Sequence, residues 1–213
     1  MQTKTPPSIA NGLGCGCIIL AAGGSTRLGR PKQLVEVDGS TLLERTIQAA
    51  LGTPDLWPVI VVIGAKAELI RPVLRGYPVL IAENPAWSEG IASSLRIGLN
   101  TLDLFSTQIG STLITLCDQP HISPQVFQTL LATQSERKSD LVAAKYQNHP
   151  GAPALFGRKH FATLSQLTGD EGARTLFRKI PPGEITTVDL PLLSVDLDTP
   201  ADFEQITGRS ISD

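Results

Sequence analysis

The sequence predicts an α/β protein with a three-layer α/β/α, Rossmann-like fold and a mainly parallel central sheet. Short apolar runs rich in β-branched residues alternate with longer segments of helical period, which is the pattern of βα units. Most of the short runs are apolar throughout, as strands buried on both faces of a parallel sheet must be. The strand candidates are residues 15–21, 59–63, 79–82, 112–116, 141–145, 154–156 and about 185–188.

Two helix starts carry capping residues. Thr41 is followed three residues later by Glu44, the spacing of a capping box, which predicts a helix near residues 41–51. Ser123 before Pro124 predicts another helix, with serine as the N-cap and proline at the first helical position. We expect the largest departure from the regular alternation in residues 146–153.

Length and charge limit the classes of protein. A chain of 213 residues, 41% of them hydrophobic, can bury the core of one domain. We expect a flexible N-terminal leader over residues 1–14 and a single domain over residues 15–208. The formal charge of −2 comes from 18 basic and 20 acidic residues spread along the chain, so the sequence has no basic stripe for nucleic acid.

The cysteines and the apolar runs bear on the compartment. Cys15, Cys17 and Cys117 match neither a disulfide framework nor a paired zinc-binding spacing, which predicts a reducing, cytoplasmic compartment. Cys117 ends an apolar run and is interpreted as a core residue rather than a nucleophile. No apolar run approaches the roughly 20 residues that span a bilayer, so a membrane is not an expected partner.

A glycine-rich loop follows the first strand candidate. Residues 20–34 read LAAGGSTRLGRPKQL. Small residues at the end of a strand let backbone N–H groups converge on anionic oxygens, and Arg27 and Lys32 supply positive charge. The loop therefore predicts a phosphate-binding site where open α/β sheets bind ligands. The alternative is a solvated turn with incidental basic residues.

Two common phosphate-binding motifs do not fit this loop. A Walker A motif requires Lys-Ser or Lys-Thr after its second glycine, but Gly29 is followed by Arg30 and Pro31. In a dinucleotide-binding fingerprint the glycines follow the strand, whereas Gly12 and Gly14 precede it. An NAD(P)-dependent oxidoreductase is therefore a weaker alternative.

The loop resembles the LAAGxSxRMGxxK signature of the MobA-like NTP transferases, particularly the molybdenum cofactor cytidylyltransferase branch. Leu28 stands where methionine is usual, and the resemblance extends through most of the chain after residue 16. It implies a nucleotidyltransferase whose loop wraps a nucleoside triphosphate. The implied nucleotide-binding residues of the loop are Leu20, Ala21, Ala22, Gly23, Gly24, Arg27 and Lys32, and Arg27 and Lys32 are also implied to be catalytic.

Two aspartates are candidate metal ligands. Asp118 directly follows the strand candidate, so we expect it at the same edge of the sheet as the glycine-rich loop, where Mg²⁺ needs only one or two carboxylates. Residues 117–120, CDQP, resemble the family's xDQP motif, and residues 195–200, VDLDTP, resemble its DIDTP segment. The resemblance implies that Asp118 is catalytic and that Asp118 and Asp198 hold Mg²⁺. The alternatives are a turn residue for Asp118 and a helix-start residue for Asp198.

Residues 84–98 resemble the family motif NPxWxxGMSSSLRxGL. The resemblance implies that Asn84, Gly90 and Ser93 lie near the base and ribose of the nucleotide. Ala92 replaces a usual serine. Trp87 is interpreted as a packing residue rather than a stacking one.

Two further segments point to the acceptor. Residues 151–156 resemble the family's GxPVLF strand and residues 169–174 its GDxGAR segment. The implied acceptor-binding residues are Gly151, Pro153, Asp170, Gly172 and Arg174. The planar fork of Arg174 suits a phosphate or a pterin carbonyl, the alternative being a surface ion pair with a neighbouring carboxylate.

The function implied by the resemblance is transfer of CMP from CTP to the phosphate of molybdopterin, with Mg²⁺ as cofactor and release of pyrophosphate. The resemblance favours CTP over GTP, because family members that use CTP tend to carry Ala-Ala-Gly where GTP users carry Ala-Gly-Gly, and residues 21–23 read Ala-Ala-Gly. Further partners are another NTP and an apo-molybdoenzyme that receives the product. The alternatives are a sugar phosphate or methylerythritol phosphate acceptor, GTP as donor, a non-catalytic cofactor carrier and the oxidoreductase.

Overall fold

The computed structural model describes residues 14–25, 28–172, 175, 177–178 and 180–208. A seven-stranded sheet forms the centre, in the order β5-β4-β1-β6-β8-β7-β9. A two-stranded ribbon, β2-β3, accompanies it. The strands are β1 (Cys15–Ala21), β2 (Glu36–Val37), β3 (Ser40–Thr41), β4 (Leu56–Ile63), β5 (Leu80–Glu83), β6 (Ser111–Leu116), β7 (Leu141–Tyr146), β8 (His149–Gly157) and β9 (Thr186–Asp189).

The sheet is parallel except at β8, which runs antiparallel to both β6 and β7. The two residues between β7 and β8, Gln147 and Asn148, have φ angles of 49° and 64°. Such a connection makes a tight hairpin, since parallel neighbours need a much longer crossover. The departure expected over residues 146–153 is therefore this hairpin together with a shift of register in β8, where Ala143 pairs with Ala154 but Ala144 pairs with Gly151.

Helices cover both faces of the sheet. In the described part of the chain they include α1 (Leu42–Leu51), α2 (Ala67–Ile70), α3 (Ile91–Phe105), α4 (Pro124–Arg137), α5 (Phe161–Ser165) and α6 (Pro200–Thr207). Because successive strand residues point to opposite faces, β1 serves two cores. Ile19 packs in the core that contains α1 and α4, while Ile18 packs in the core of α3 and α5. This arrangement confirms the predicted α/β/α fold class.

Helix α3 lies unusually close to β1. A Cβ at Gly98 of α3 would lie 2.5 Å from the Ile18 side chain, and one at Gly16 of β1 would lie 2.4 Å from Leu102. Glycine at these two positions lets the helix approach the strand. The N-terminus of α3 is thereby held at the carboxyl edge of the sheet.

The two predicted helix starts differ in outcome. The capping box is confirmed, because the Glu44 N–H donates to Thr41 Oγ1 at 3.2 Å and the Thr41 N–H donates to Glu44 Oε2 at 2.9 Å. Pro124 begins α4 as predicted, but the Ser123 hydroxyl makes no capping hydrogen bond. The backbone carbonyl of Ser123 accepts the Val126 N–H instead. This is the amide that a capping hydroxyl at Ser123 would have bound.

Of the predicted leader, residues 1–13 lie outside the described residues. In the described part of the chain, no helix combines the length and apolar character needed to cross a membrane.

The capping box yields a stability prediction. Thr41→Ala removes the acceptor for the Glu44 N–H and should lower the free energy of unfolding by about 1 kcal/mol. Urea denaturation followed by circular dichroism measures the change. Thr129→Ala, at an exposed position inside α4, is the matched control and should leave stability nearly unchanged. Equal stability of Thr41→Ala and the wild type would contradict the capping role.

The buried cysteines yield a second prediction. Burial raises the pKa of Cys15 to about 11 and that of Cys117 to about 12, and it raises the pKa of Cys17 well above its usual value. All three thiols should therefore resist a thiol-reactive chromogen at pH 8 and react after unfolding in guanidinium. Because the folded state keeps these protons longer than the unfolded chain does, stability should fall as pH rises from 9.0 towards 11. Rapid reaction of a native thiol would show that the burial is wrong.

Candidate active site

A cavity of about 400 Å³ lies at the carboxyl ends of β1 and β6, and we call it the central cavity. The glycine-rich loop forms one side of it and the start of α3 another. Parallel strands place their following loops at one edge of the sheet, so segments distant in sequence meet there. The predicted site residues that line it are Leu20, Ala21, Ala22, Gly23, Gly24, Lys32, Gly90, Asp118 and Asp170.

An ion-pair cluster stands at the cavity wall. The Lys32 Nζ atom lies 2.5 Å from Asp118 Oδ2 and 3.0 Å from Asp198 Oδ1. Lys32 precedes α1, Asp118 follows β6, and Asp198 precedes α6, so three separate elements converge on one ammonium group. The Leu197 N–H donates to the Asp118 carbonyl at 2.9 Å, which fixes the two aspartate segments side by side.

The charges in this cluster stabilise one another. Burial alone would lower the pKa of Lys32, but the Asp118 carboxylate and the hydrogen bonds to both aspartates raise it above its usual range. Lys32 is therefore a cation at neutral pH. Asp118 Oδ1 is buried and has no hydrogen-bond partner among the described residues. One oxygen of this carboxylate thus remains available to a further cation or donor.

Two buried glutamines shape the site, and sequence reasoning missed both. Gln33 donates from Nε2 to the carbonyls of Ala21 and Gly23, each at 2.8 Å, and so holds the glycine-rich loop in its bend. Gln119 donates from Nε2 to Leu193 O at 2.9 Å and Ala152 O at 3.2 Å. Gln33 directly follows Lys32, and Gln119 directly follows Asp118. This position beside a charged motif residue is the sequence signal that could have identified them.

The indole of Trp87 packs on the glycine-rich loop. A Cβ at Gly24 would lie 3.2 Å from its ring, and one at Gly64 would lie 2.7 Å from its Cβ atom. Trp87 also lines the central cavity and is 39% exposed, so one part of it faces the open space. A side chain at Gly64 would therefore force Trp87 or Ala22 to move, whereas at Gly24 the indole would have to give by only a few tenths of an ångström.

Asn84 and Ser93 are buried and do not line the central cavity. Asn84 donates from Nδ2 to the hydroxyls of Ser93 and Ser94, at 2.8 and 2.9 Å, and accepts the Ala86 N–H. The Ser93 hydroxyl donates to the Gly90 carbonyl at 2.8 Å. These groups hold the loop before α3 in shape, and Ser94, rather than Ser93, lines the cavity. Their direct contact with a nucleotide stays a prediction.

The predicted acceptor residues fall in two places. Asp170 lines the central cavity, and Gly172 packs against Ile91 at the start of α3. Gly151 and Pro153 lie on β8 instead, where a Cβ at Gly151 would lie 2.4 Å from the Tyr146 hydroxyl.

A second cavity, of about 340 Å³, lies beside the β7–β8 hairpin and is lined by Tyr146, Gln147, His149, Pro150, Phe177 and Arg178. Arg27 and Arg174 lie outside the described residues, so their roles stay predictions.

Comparison with known proteins agrees with this architecture. The sequence profile of the MobA-like NTP transferase domain matches residues 17–188. The chain is 32% identical over 174 residues to nicotine blue oxidoreductase of Paenarthrobacter nicotinovorans, which covers 77% of this chain and 81% of that protein. It is 24% identical over 190 residues to molybdenum cofactor cytidylyltransferase of Escherichia coli, which covers 88% and 92%.

A nucleotidyl transferase from Methanothermobacter superposes with a TM-score of 0.77 at 21% identity, over 92% of this chain and 97% of that one. This last likeness concerns the fold alone. The family profile covers most of the chain, including the glycine-rich loop and Asp118. The chain therefore belongs to the MobA-like NTP transferase family and is, by that membership, a nucleotidyltransferase.

Proposed function

We propose that the protein transfers CMP from CTP to the terminal phosphate of a molybdopterin-type acceptor and releases pyrophosphate. The observation that carries the proposal is the convergence of Lys32, Asp118 and Asp198 in one ion-pair cluster, of which Lys32 and Asp118 line the central cavity beside the glycine-rich loop. The sequence Ala-Ala-Gly at residues 21–23 supports CTP as the donor. The match to the Escherichia coli cytidylyltransferase supports a molybdopterin-type acceptor.

The carboxylates fit a magnesium ion. Asp118 and Asp198 already converge on a cationic group, and Asp118 Oδ1 is buried without a partner among the described residues. Mg²⁺ prefers oxygen ligands and is commonly held by one or two carboxylates, completed by phosphate oxygens and water. No group of three or more His, Cys, Asp or Glu residues forms a metal cage in the described part of the chain. A bound Mg²⁺ would supply positive charge against the leaving pyrophosphate.

The chain's own groups position the reactants and neutralise charge. An anionic oxygen of the acceptor phosphate forms a bond to the α-phosphorus, and the bond from that phosphorus to the bridging oxygen breaks. Pyrophosphate leaves with the electron pair. The backbone amides of the glycine-rich loop and the Lys32 ammonium counter the negative charge that develops there. The acceptor phosphate is ionised at neutral pH, so the step needs no general base.

One observation favours a second candidate. The relative that shares 32% identity is named an oxidoreductase. An NAD(P)-dependent oxidoreductase would change the absorbance of the nicotinamide and release no pyrophosphate. A cofactor carrier would bind its ligand without turnover.

The proposed reaction predicts a definite product. Purified protein incubated with molybdopterin, Mg²⁺ and each of the four NTPs in turn should release pyrophosphate, with CTP the best donor. Mass spectrometry should identify molybdopterin cytosine dinucleotide. Parallel reactions with a sugar phosphate, with methylerythritol phosphate and with a nicotinamide cofactor test the alternatives. If molybdopterin gives no pyrophosphate with any of the four NTPs, the proposed function fails.

Removal of the Lys32 charge should slow the reaction. Lys32→Ala is expected to lower kcat by roughly 10²-fold or more at saturating Mg²⁺, by analogy with the loss of one electrostatic donor. Lys159→Ala, which removes a lysine from an exposed ion pair with Asp140, is the matched control and should keep the wild-type rate. Circular dichroism confirms that each variant is folded. A wild-type rate for folded Lys32→Ala would contradict the assigned role.

A further inference from the structure

We propose that residues 167–172 close the central cavity over the nucleoside end of the substrate and that Asp170 accepts hydrogen bonds from that end, with Arg96 as the positioning residue. The inference rests on the proposed nucleotide binding and goes beyond it, because it assigns Asp170 to nucleotide selection rather than to the acceptor. We call residues 167–172 the covering segment.

The covering segment is fastened to the first turns of α3 by two hydrogen bonds. Arg96 Nη1 donates to the Leu167 carbonyl at 2.7 Å, and the Ala92 N–H donates to the Gly169 carbonyl at 3.1 Å. The second bond uses one of the N–H groups that a helix N-terminus leaves without an internal partner. Both contacts fix backbone carbonyls, so they set the path of the segment and hence the position of Asp170.

Gly90 makes this close approach possible. It has a φ angle of 107°, which residues with a side chain rarely adopt. A Cβ at this position would lie 2.3 Å from both the carbonyl carbon and the oxygen of Gly169. Any other residue at position 90 would therefore push the covering segment away from the cavity. The glycine serves the contact between two segments and is not only a turn residue.

Asp170 lines the central cavity from a different element than the ion-pair cluster does. The covering segment rests on α3, whereas the cluster is formed by the end of the glycine-rich loop, the end of β6 and the segment before α6. The triphosphate belongs near Lys32 and the glycine-rich loop. An ionised carboxylate repels phosphate and only accepts hydrogen bonds. Asp170 therefore suits ribose hydroxyls or the exocyclic amino group of a base.

Arg96 acts through the covering segment. It does not line the central cavity. Its Nη2 atom lies 3.4 Å from Glu89 Oε2 while Nη1 holds Leu167, so the planar guanidinium spans the loop before α3 and the covering segment at once. Lysine cannot reproduce this two-sided contact.

Isothermal titration of the full chain with Mg–CTP, without acceptor, tests the assignment. Asp170→Ala should raise the Kd for CTP about tenfold and reduce the preference for CTP over either UTP or 2′-deoxy-CTP. Steady-state kinetics should show a raised KM for CTP, with kcat and the KM for the acceptor close to wild type. Arg96→Lys should change the same quantities in the same direction by a smaller factor. Gly90→Ala should behave like Asp170→Ala.

Glu136→Ala and Arg137→Lys, both at exposed positions in the last turn of α4, make the matching changes of charge and size and should bind CTP as the wild type does. A raised KM for the acceptor with unchanged CTP binding would overturn the proposal and return Asp170 to the acceptor site. Unchanged binding and kinetics in Asp170→Ala would overturn it as well. If the wild type binds no NTP at all, the proposed function fails first, and this inference fails with it.

Discussion

The site depends on one ammonium group paired with two carboxylates. Their side chains are only 12–32% exposed, so each charge has lost much of its hydration and is tolerable only because the others are present. One ammonium group between two carboxylates leaves the cluster with more acidic than basic groups. This pairing holds together three segments, namely the loop before α1, the end of β6 and the segment before α6.

Much of the fold was readable from the sequence because the deciding signals are local. The apolar runs predicted five of the seven sheet strands to within one residue at each end, and the candidate at residues 59–63 lacks only the first three residues of β4. The Thr41–Glu44 pair marked the start of α1. The candidate at residues 154–156, by contrast, is only the last part of β8. The reversed direction of that strand was not predicted, because an apolar strand looks the same in either direction. The antiparallel direction of β8 is set by a two-residue turn that contains no glycine. The residue types of Gln147 and Asn148 do not reveal that both have positive φ angles.

The candidate site likewise has features that the sequence predicts and features that it does not. Lys32, Asp118 and the glycine-rich loop could be placed together from sequence, since each follows or lies near a strand end at the same edge of the sheet. Gln33 and Gln119 could not, because their hydrogen bonds reach carbonyls that only the folded chain brings near. Asn84 and Ser93 were assigned through resemblance, and a motif does not reveal whether a polar side chain faces a ligand or its own loop. Hydrogen bonds between segments that are distant in the sequence cannot be predicted from local sequence patterns.

The glycine contacts between α3 and β1 have a consequence for the shape of the central cavity. At Gly16 and Gly98 the distance between helix and strand is set by contacts of backbone with the Leu102 and Ile18 side chains. A larger residue at either position would require those side chains to move or α3 to shift away from β1. Because the start of α3 lines the central cavity, such a shift would also change the width of its entrance.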